Sequence, residues 1–242
     1  MSEPSRFFVP AIPSDGLVRL EGAEARHALQ VLRLTAGDAF RVFDGTSREA
    51  LCRITEAARD RIEARVERER EVCAEPAVRL CFYPSLSKGD RFSWTLQKLC
   101  ELGASDITPV LSERCVARDW TEQKSIRYRR ILLESSKQCG RGRLPVLHDP
   151  VPLESLLGRP MDGVALFCHE TAEQTLSRTL QEFGAFETAH VFTGPEGGYS
   201  PAEFELAVEH GVRPVRMGGI ILRCETAPLA AAAALLFASG QF

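Results

Sequence analysis

The chain has 242 residues, of which 44% are hydrophobic, enough apolar material for the core of one large or two modest domains. With 30 basic and 33 acidic residues its net charge is −3, which excludes a uniformly basic nucleic-acid-binding protein. No apolar run approaches membrane-spanning length and the first residues lack a secretory signal, so we expect a cytoplasmic protein.

Residues 1–72 read as a small β domain. Short segments in which apolar and polar residues alternate recur at 40–43, 50–54 and 62–66, and Asp44-Gly45 closes the first of them with a turn. Short alternating segments separated by turns are typical of a small β-barrel. The pattern changes near 72–76, where we place the domain boundary.

Residues 73–242 read as an α/β domain. We predict strands at 78–83, 107–111, 163–168 and 191–193, and helices at 91–102, 126–139 and 175–183. Strands and helices that alternate in this way predict a largely parallel sheet.

A glycine-rich loop begins at the end of the short apolar strand predicted at 191–193. Residues 192–198 read Phe-Thr-Gly-Pro-Glu-Gly-Gly, and glycines here let the backbone turn tightly and approach a ligand. A helix begins directly afterwards, with Ser200 as its N-cap, Pro201 at its first position and Glu203 three residues after the cap. Gly211 is the matching stop signal.

A second loop follows the next strand, predicted at 212–217. Gly218 and Gly219 open this loop, which also contains Arg223 and Glu225, and an Ala/Leu-rich helix at 228–238 follows. That helix is apolar on nearly every side, so we expect it to be buried. Each loop taken alone is more often a simple turn, but two such loops with charged residues indicate a shared binding site. Neither loop has the spacing of a common nucleotide fingerprint.

The eight cysteines do not indicate a metal site or disulfides. None of them forms a C-x-x-C pair, and the five histidines are equally dispersed. We expect reduced, mostly buried thiols and no bound metal.

The basic residues are concentrated in the middle of the chain. Residues 84–150 hold 12 basic and 8 acidic residues, whereas residues 151–242 hold 5 and 11. The middle segment could therefore present a phosphate-contacting face, although a solvated helix face explains Arg127, Arg129 and Arg130 equally well. Arg141 and Arg143 flank glycines in a loop, where guanidinium groups reach phosphates at close range.

Several ordered motifs together resemble one family. They are Thr-Gly-Pro-Glu-Gly-Gly at 193–198, Leu-Arg-Cys-Glu-Thr-Ala at 222–227, Lys-Leu-Cys-Glu-Leu-Gly at 98–103, Glu-Arg-Cys at 113–115 and Gln-Cys-Gly-Arg at 138–141. The family is that of the bacterial 16S ribosomal RNA uracil-N3 methyltransferases of the SPOUT superfamily. The similarity runs from Arg6-Phe7-Phe8 to the last helix.

The resemblance implies a fold and a reaction. The fold is a small N-terminal PUA-like β-barrel followed by an α/β methyltransferase domain whose C-terminal chain forms a deep trefoil knot. The reaction is methylation of one uridine at N3 in 16S ribosomal RNA of the 30S subunit, with S-adenosyl-methionine bound in the knot. The family also implies a homodimer. Relatives usually carry an arginine where Ile220 stands, a threonine at Cys224 and a glutamate at Lys137.

The site residues follow from these motifs. We expect the cofactor to be held by both loops, through Thr193, Gly194, Pro195, Glu196, Gly197, Gly198, Met217, Gly218, Ile221 and Leu222. We expect Arg223 to stabilise the uracil anion that forms as N3 loses its proton, with Glu225 either accepting that proton or orienting Arg223. We expect RNA to be bound by Arg6, Arg26, Arg33, Arg114, Arg141 and Arg143.

Two other functions remain open from the sequence. A ribosome assembly or RNA-binding factor that has lost catalysis is one, and Ile220 is the feature that points to it. The other is a SPOUT enzyme that methylates a ribose hydroxyl or a transfer RNA base, since the loops alone do not specify the acceptor.

Overall fold

The structure, a computed structural model, describes residues 4–72 and 74–242. Residues 1–3, which belong to the predicted first domain, and Cys73, one of the eight thiols, lie outside the described residues. The chain forms two compact units. Unit 1 comprises the residues up to Glu75 together with Leu133–Leu144, and unit 2 comprises Pro76–Leu132 with Pro145–Phe242. A functional boundary after residue 72 stays a prediction.

Unit 1 is built on a five-stranded sheet with the strand order β1-β3-β4-β5-β2. Its strands are β1 (Arg6–Phe8), β2 (Leu17–Glu21), β3 (Ala39–Phe43), β4 (Arg48–Ala57) and β5 (Arg61–Glu71). A short helix, α1 (Gly22–Arg26), and a π-helical turn (His27–Val31) follow β2. Strand β1 is parallel to β3, and the other pairs are antiparallel.

Alternation of side chains builds the core of unit 1. Phe40 and Val42 of β3 and Ile62 of β5 are fully buried. They are apolar positions of the predicted alternating segments, whose apolar side chains point to one face of the sheet. Register shifts at Leu51/Cys52 and Ile54/Glu56 bend β4, so the sheet curls. The sequence predicted a small β-barrel, and the structure has a small β domain whose sheet is curled.

Unit 2 contains a six-stranded parallel sheet with the order β13-β11-β12-β6-β7-β9. The strands of this unit are β6 (Arg79–Pro84), β7 (Asp106–Ile107), β8 (Val110–Leu111), β9 (Val146–Leu147), β10 (Val151–Pro152), β11 (Val164–Cys168), β12 (Thr188–Thr193) and β13 (Arg213–Val215). The remaining helices are α2 (Arg91–Glu101), α3 (Glu122–Cys139), α4 (Leu153–Leu157), α5 (Leu176–Phe183), α6 (Pro201–Glu209) and α7 (Ala227–Ala238). The predicted α/β class is confirmed.

Three predicted elements differ in detail. The strand predicted at 107–111 is two strands, because Pro109 has no N–H to donate, and β8 pairs with β10 outside the large sheet. The strand predicted at 212–217 is limited to β13. Helix α3 begins four residues earlier than predicted, where the Thr121 hydroxyl accepts a hydrogen bond from the Lys124 amide at 3.3 Å.

The last helix is largely buried, as predicted, and only its last two residues, Phe237 and Ala238, are exposed. Ala231, Ala232 and Leu235 of α7 are fully buried, while the Phe237 side chain is 76% exposed. A helix that is apolar all round is expected to lie in the protein interior, and α7 does so along most of its length. Within the described residues, no helix is both long enough and apolar enough to span a membrane.

Candidate active site

A cavity of about 700 Å³ opens at the carboxyl ends of strands β11, β12 and β13. Parallel sheets bind ligands at this edge, because the loops that follow the strands converge there. The cavity is lined by the two glycine-bearing loops and by residues that precede them: Arg91, Cys168, His169, Glu170, Gly194, Pro195, Glu196, Gly197, Gly198, Tyr199, Arg216, Met217, Gly218, Gly219, Ile220, Ile221, Leu222, Arg223, Cys224, Glu225 and Ala227.

The first loop needs its glycines for two reasons. Gly198 has φ +67°, in the left-handed region that side chains with a Cβ avoid. Gly197 lies against Arg114, whose Cβ would stand 3.3 Å from a Cβ added at Gly197. The Arg114 guanidinium also donates a hydrogen bond to the Gly197 carbonyl at 3.1 Å. Arg114 therefore holds the outer side of this loop.

The helix start predicted after the first loop is confirmed. The Ser200 hydroxyl accepts a hydrogen bond from the Glu203 amide at 3.3 Å, and the Glu203 carboxylate accepts one from the Ser200 amide at 2.8 Å. These reciprocal bonds form a capping box, with Pro201 at the first position of α6. The same carboxylate accepts a hydrogen bond from the Glu113 amide at 2.7 Å, which ties a third segment to this end of the loop.

The second loop presents apolar and charged side chains to the cavity. Ile220 and Ile221 are 82% and 79% exposed, so neither is held by the core. The loop ends in a turn in which the Thr226 amide donates to the Arg223 carbonyl at 2.8 Å. Arg223 follows the apolar stretch and its side chain is 78% exposed. A guanidinium so placed is free to reach a ligand.

Glu225 is the most enclosed charged group of the second loop. Its Oε1 atom lies 3.9 Å from an arginine nitrogen of both Arg91 and Arg223, and its Oε2 accepts a hydrogen bond from the Cys224 thiol at 3.2 Å. Burial opposes ionisation of Glu225, but its own backbone amide, the Cys224 thiol and the two arginines outweigh burial and lower its pKa. Burial raises the pKa of the Cys224 thiol to about 12. The carboxylate is therefore ionised and the thiol neutral at physiological pH.

Glu196 of the first loop is bound by the beginning of α2. Its Oε1 accepts a hydrogen bond from Arg91 Nη1 at 2.8 Å and one from the Lys88 amide at 3.2 Å. Burial works against the charge of Glu196, but hydrogen bonds from its own amide, from Lys88 and from Arg91 lower its pKa overall. This carboxylate, which the sequence predicts to bind the cofactor, also has two protein donors.

Most of the predicted loop residues line the cavity, with one exception. Thr193 is 1% exposed and its hydroxyl finds no hydrogen-bond partner within the described residues. It ends β12, where its carbonyl accepts from the Ser85 amide at 2.8 Å, and Gly194 is the first residue of the loop at the cavity. Thr193 thus positions the loop from within the sheet.

The sequence analysis missed the cavity residues that lie outside the two loops. Arg91, His169, Glu170, Tyr199 and Arg216 also line the cavity. Cys168 ends a predicted strand, so the parallel-sheet rule could have identified His169 and Glu170 as residues at the binding edge. Nothing local marks Arg91, which lies 105 positions before its partner Glu196.

The six arginines predicted to bind RNA fall into two groups. Arg26, Arg33, Arg114 and Arg143 are exposed, and Arg33 has φ 57°, an uncommon conformation for a residue with a side chain. Arg6 and Arg141, in contrast, have side chains that are only 10% and 6% exposed.

The two enclosed arginines hold unit 1 together. Arg6 donates to Glu49 at 2.7 Å and to the Arg141 carbonyl at 2.6 Å, and Arg141 donates to Glu75 at 2.6 Å. Arg143 also contacts Glu75, through its backbone amide at 2.9 Å. Buried, paired guanidinium groups are not displayed to phosphates, so the geometry of Arg6 and Arg141 favours a structural role.

The described cysteines and histidines form no metal centre. Within residues 4–72 and 74–242, no three His, Cys, Asp or Glu side chains are grouped so as to hold an ion. Of the seven described cysteines, Cys139 and Cys224 are partly exposed and the other five are buried.

The fold and the cavity define a class of protein: an α/β domain that binds its ligand at the carboxyl ends of parallel strands, with a small curled β domain in the same chain. Family models match both parts of the chain. Residues 74–236 match an RNA methyltransferase domain, and residues 20–67 match an RNA methyltransferase PUA domain.

Individual relatives agree with these matches. The chain is similar to a ribosomal RNA small subunit methyltransferase E from Neisseria gonorrhoeae, solved bound to S-adenosyl methionine, with 32% identity, 97% and 98% of the two chains covered and a TM-score of 0.88. A methyltransferase from Legionella pneumophila, solved with bound SAM, has 28% identity, 98% coverage of both chains and a TM-score of 0.90. The ribosomal RNA small subunit methyltransferase E of Mycobacterium bovis is 29% identical over 95% of this chain and 90% of its own length. The chain belongs to this family of RNA methyltransferases.

Proposed function

We propose that the protein is an S-adenosyl-methionine-dependent methyltransferase that methylates N3 of a specific uridine in 16S ribosomal RNA of the small subunit. The observation that carries this proposal is the cavity at the carboxyl ends of β11, β12 and β13, where both predicted loops meet around Arg223 and Glu225. The relatives that bind S-adenosyl methionine share the whole length of the chain.

The cavity fits the cofactor in size and chemistry. Its volume of about 700 Å³ lies within the range of small-molecule sites. Gly194 and Gly218 leave backbone groups accessible to the adenine and ribose, while Met217 and Leu222 supply apolar contacts. The bound cofactor supplies an activated methyl group, so the protein has only to align donor and acceptor.

Arg223 is placed to stabilise the acceptor. Uridine N3 becomes nucleophilic only as its imide proton leaves, and the negative charge then spreads over O2 and O4. A cation near those oxygens favours the anion. The Arg223 side chain lines the cavity and is 78% exposed, so its guanidinium is available to the base rather than committed to the fold.

The environment of Glu225 supports the orienting role over that of proton acceptor. The lowered pKa makes its carboxylate a weak base toward an imide proton. Its separation of 3.9 Å from Arg223 is an ion pair longer than a hydrogen bond. Glu225 would therefore hold Arg223 by charge.

RNA recognition completes the proposal. N3 is hidden in a Watson–Crick pair, so the enzyme needs an unpaired or flipped uridine. Arg26, Arg33, Arg114 and Arg143 are the exposed arginines that support phosphate contacts. We also propose a homodimer, a trefoil knot in the α/β domain and a cytoplasmic location, where the small subunit is found. The exposed Phe237 at the end of α7 supports the homodimer.

The test is transfer of labelled methyl from S-adenosyl-methionine to 30S subunits, naked 16S RNA and transfer RNA, followed by nucleoside analysis. We expect N3-methyluridine in 16S RNA. Label found in a ribose or in transfer RNA would show that the acceptor is not uridine N3 of 16S RNA. The protein would then be a SPOUT enzyme that acts on that other acceptor. Binding to the subunit without transfer would overturn the proposal in favour of a non-catalytic factor.

A further inference from the structure

Arg91 is the one cavity-lining residue contributed by α2, and its backbone is fixed. Phe92, Leu96 and Leu99 of the same helix are fully buried, so the helix is anchored in the core of unit 2. Arg91 begins the helix, and its carbonyl accepts a hydrogen bond from the Thr95 hydroxyl at 3.0 Å. A side chain that extends from a rigid helix can hold two loops in fixed positions.

The Arg91 guanidinium contacts both loops of the cavity. Nη1 donates to Glu196 of the first loop at 2.8 Å, and Nε lies 3.9 Å from Glu225 Oε1 of the second loop. The side chains of Glu196 and Glu225 are 28% and 17% exposed, so both carboxylates are largely shielded from water. One cation thus links two partly enclosed anions on separate loops.

Two arginines contact Glu225 in different ways. Arg91 and Arg223 are both 3.9 Å from the same oxygen, Oε1. Arg91 is anchored by its hydrogen bond to Glu196 and is 44% exposed, whereas Arg223 is 78% exposed. The anchored cation holds the carboxylate, and the exposed one stays available to a ligand.

We propose that Arg91 is a positioning residue of the methyl-transfer site: it ties the Glu196 loop to the Glu225 loop and holds the Glu225 carboxylate where it orients Arg223. This inference rests on the proposed function and deepens it. Arg91 acts through Glu225 and does not itself contact the base. Both glutamates have lowered pKa values to which the Arg91 charge contributes, which agrees with this geometry.

The test is a double-mutant cycle on kcat for methyl transfer, with Arg91→Gln and Glu225→Gln singly and together. We expect Arg91→Gln to lower kcat roughly tenfold or more, and to have little further effect when Glu225 is already Gln, because coupled residues are not additive. Arg91→Lys should restore part of the rate, since it keeps the charge. The matched control is Arg213→Gln, an arginine that is also 44% exposed and pairs with Glu182 at 3.0 Å.

Each outcome decides the inference. A wild-type rate for Arg91→Gln overturns it, and so does an equal loss of rate in the Glu225→Gln background, which would show a general structural role. If the wild-type protein transfers no methyl group, the proposed function fails separately. The same cycle measured on the dissociation constant of S-adenosyl-methionine then still reports whether Arg91 and Glu225 are coupled.

Discussion

Glu203 and Ser200 are joined by two reciprocal hydrogen bonds, one from each backbone amide to the other's side chain, at 2.8 and 3.3 Å. The pair closes the first turn of α6 directly after the glycine-rich loop. Because the Glu203 carboxylate also accepts a hydrogen bond from the Glu113 amide, one side chain fixes both the helix and a neighbouring segment. The loop at the cavity therefore ends on a rigid support.

Removal of this cap should destabilise unit 2. Ser200→Ala deletes the hydroxyl that accepts the Glu203 amide, and we expect the free energy of unfolding to fall by about 1 kcal/mol. Denaturant unfolding followed by circular dichroism measures the change. Ser155→Ala, at an exposed position of α4, is the control, and an equal effect of both substitutions would contradict the capping role.

Arg223→Ala should impair catalysis rather than folding. The lost cation would otherwise stabilise the uracil anion, so we expect kcat to fall by roughly a hundredfold, with cofactor affinity little changed. Single-turnover methylation and calorimetric binding of S-adenosyl-methionine separate the two effects. Arg178→Ala removes an arginine that is 70% exposed and outside the cavity, and should leave kcat unchanged. A wild-type rate for Arg223→Ala would show that the assignment of Arg223 is wrong.

The two neighbouring arginines at 141 and 143 should behave differently. Arg141→Ala leaves the Glu75 carboxylate without its buried partner, and we expect about 3 kcal/mol of destabilisation. Arg143→Ala removes an exposed guanidinium, and should weaken RNA binding and reduce the slope of log affinity against log salt by about 1. Thermal unfolding and RNA titrations at several salt concentrations measure both. A stable Arg141→Ala protein with weakened RNA binding would reverse our interpretation.

Two glycines with similar φ values should differ in their tolerance of a methyl group. Gly163 has φ +77°, and an added Cβ would lie 2.2 Å from the Thr188 carbonyl oxygen. Gly184 has φ +66° and no atom within 4 Å of such a Cβ. We expect Gly163→Ala to destabilise the protein by about 3 kcal/mol or more and Gly184→Ala by about 1 kcal/mol. Equal unfolding midpoints in urea would refute the predicted clash.

Glu196 should contribute to stability in a pH-dependent way. Its pKa in the folded protein lies below the ordinary value of 4.5, so its contribution is present above that value and is lost as the pH falls through the lower, folded value. The difference in Tm between the wild type and Glu196→Gln should therefore narrow on acidification. Glu209→Gln, an exposed glutamate of α6 outside the cavity, controls for loss of a surface carboxylate. A Tm difference that stays constant from neutral to acidic pH would contradict the lowered pKa of Glu196.

Local signals predicted several parts of this protein correctly. The start of α6 was readable because a cap involves residues only three positions apart. The two loops could be located because each follows an apolar strand and contains glycine. The strand predicted across 107–111 failed at Pro109, where a proline removes the donor that a continuous ladder needs.

The burial of charged residues could not be read from the sequence. Arg141 and Arg143 occupy one glycine-flanked loop and look equivalent, yet one is buried against Glu75 and the other is exposed. The sequence of α7 likewise shows an apolar helix, and only packing decides that Ala231 faces the core and Phe237 faces solvent. Burial depends on which distant segment covers a side chain.

The two-part organisation, the α/β class and the two loops that meet at the cavity are encoded in patterns and turns within a few residues, and could therefore be predicted. Which charges act together depends on how distant segments pack. Arg91 reaches Glu196 across 105 positions of sequence, and the same guanidinium faces Glu225 on the other loop. Neighbouring parallel strands bring the ends of distant segments to one edge, and no short-range pattern encodes that meeting.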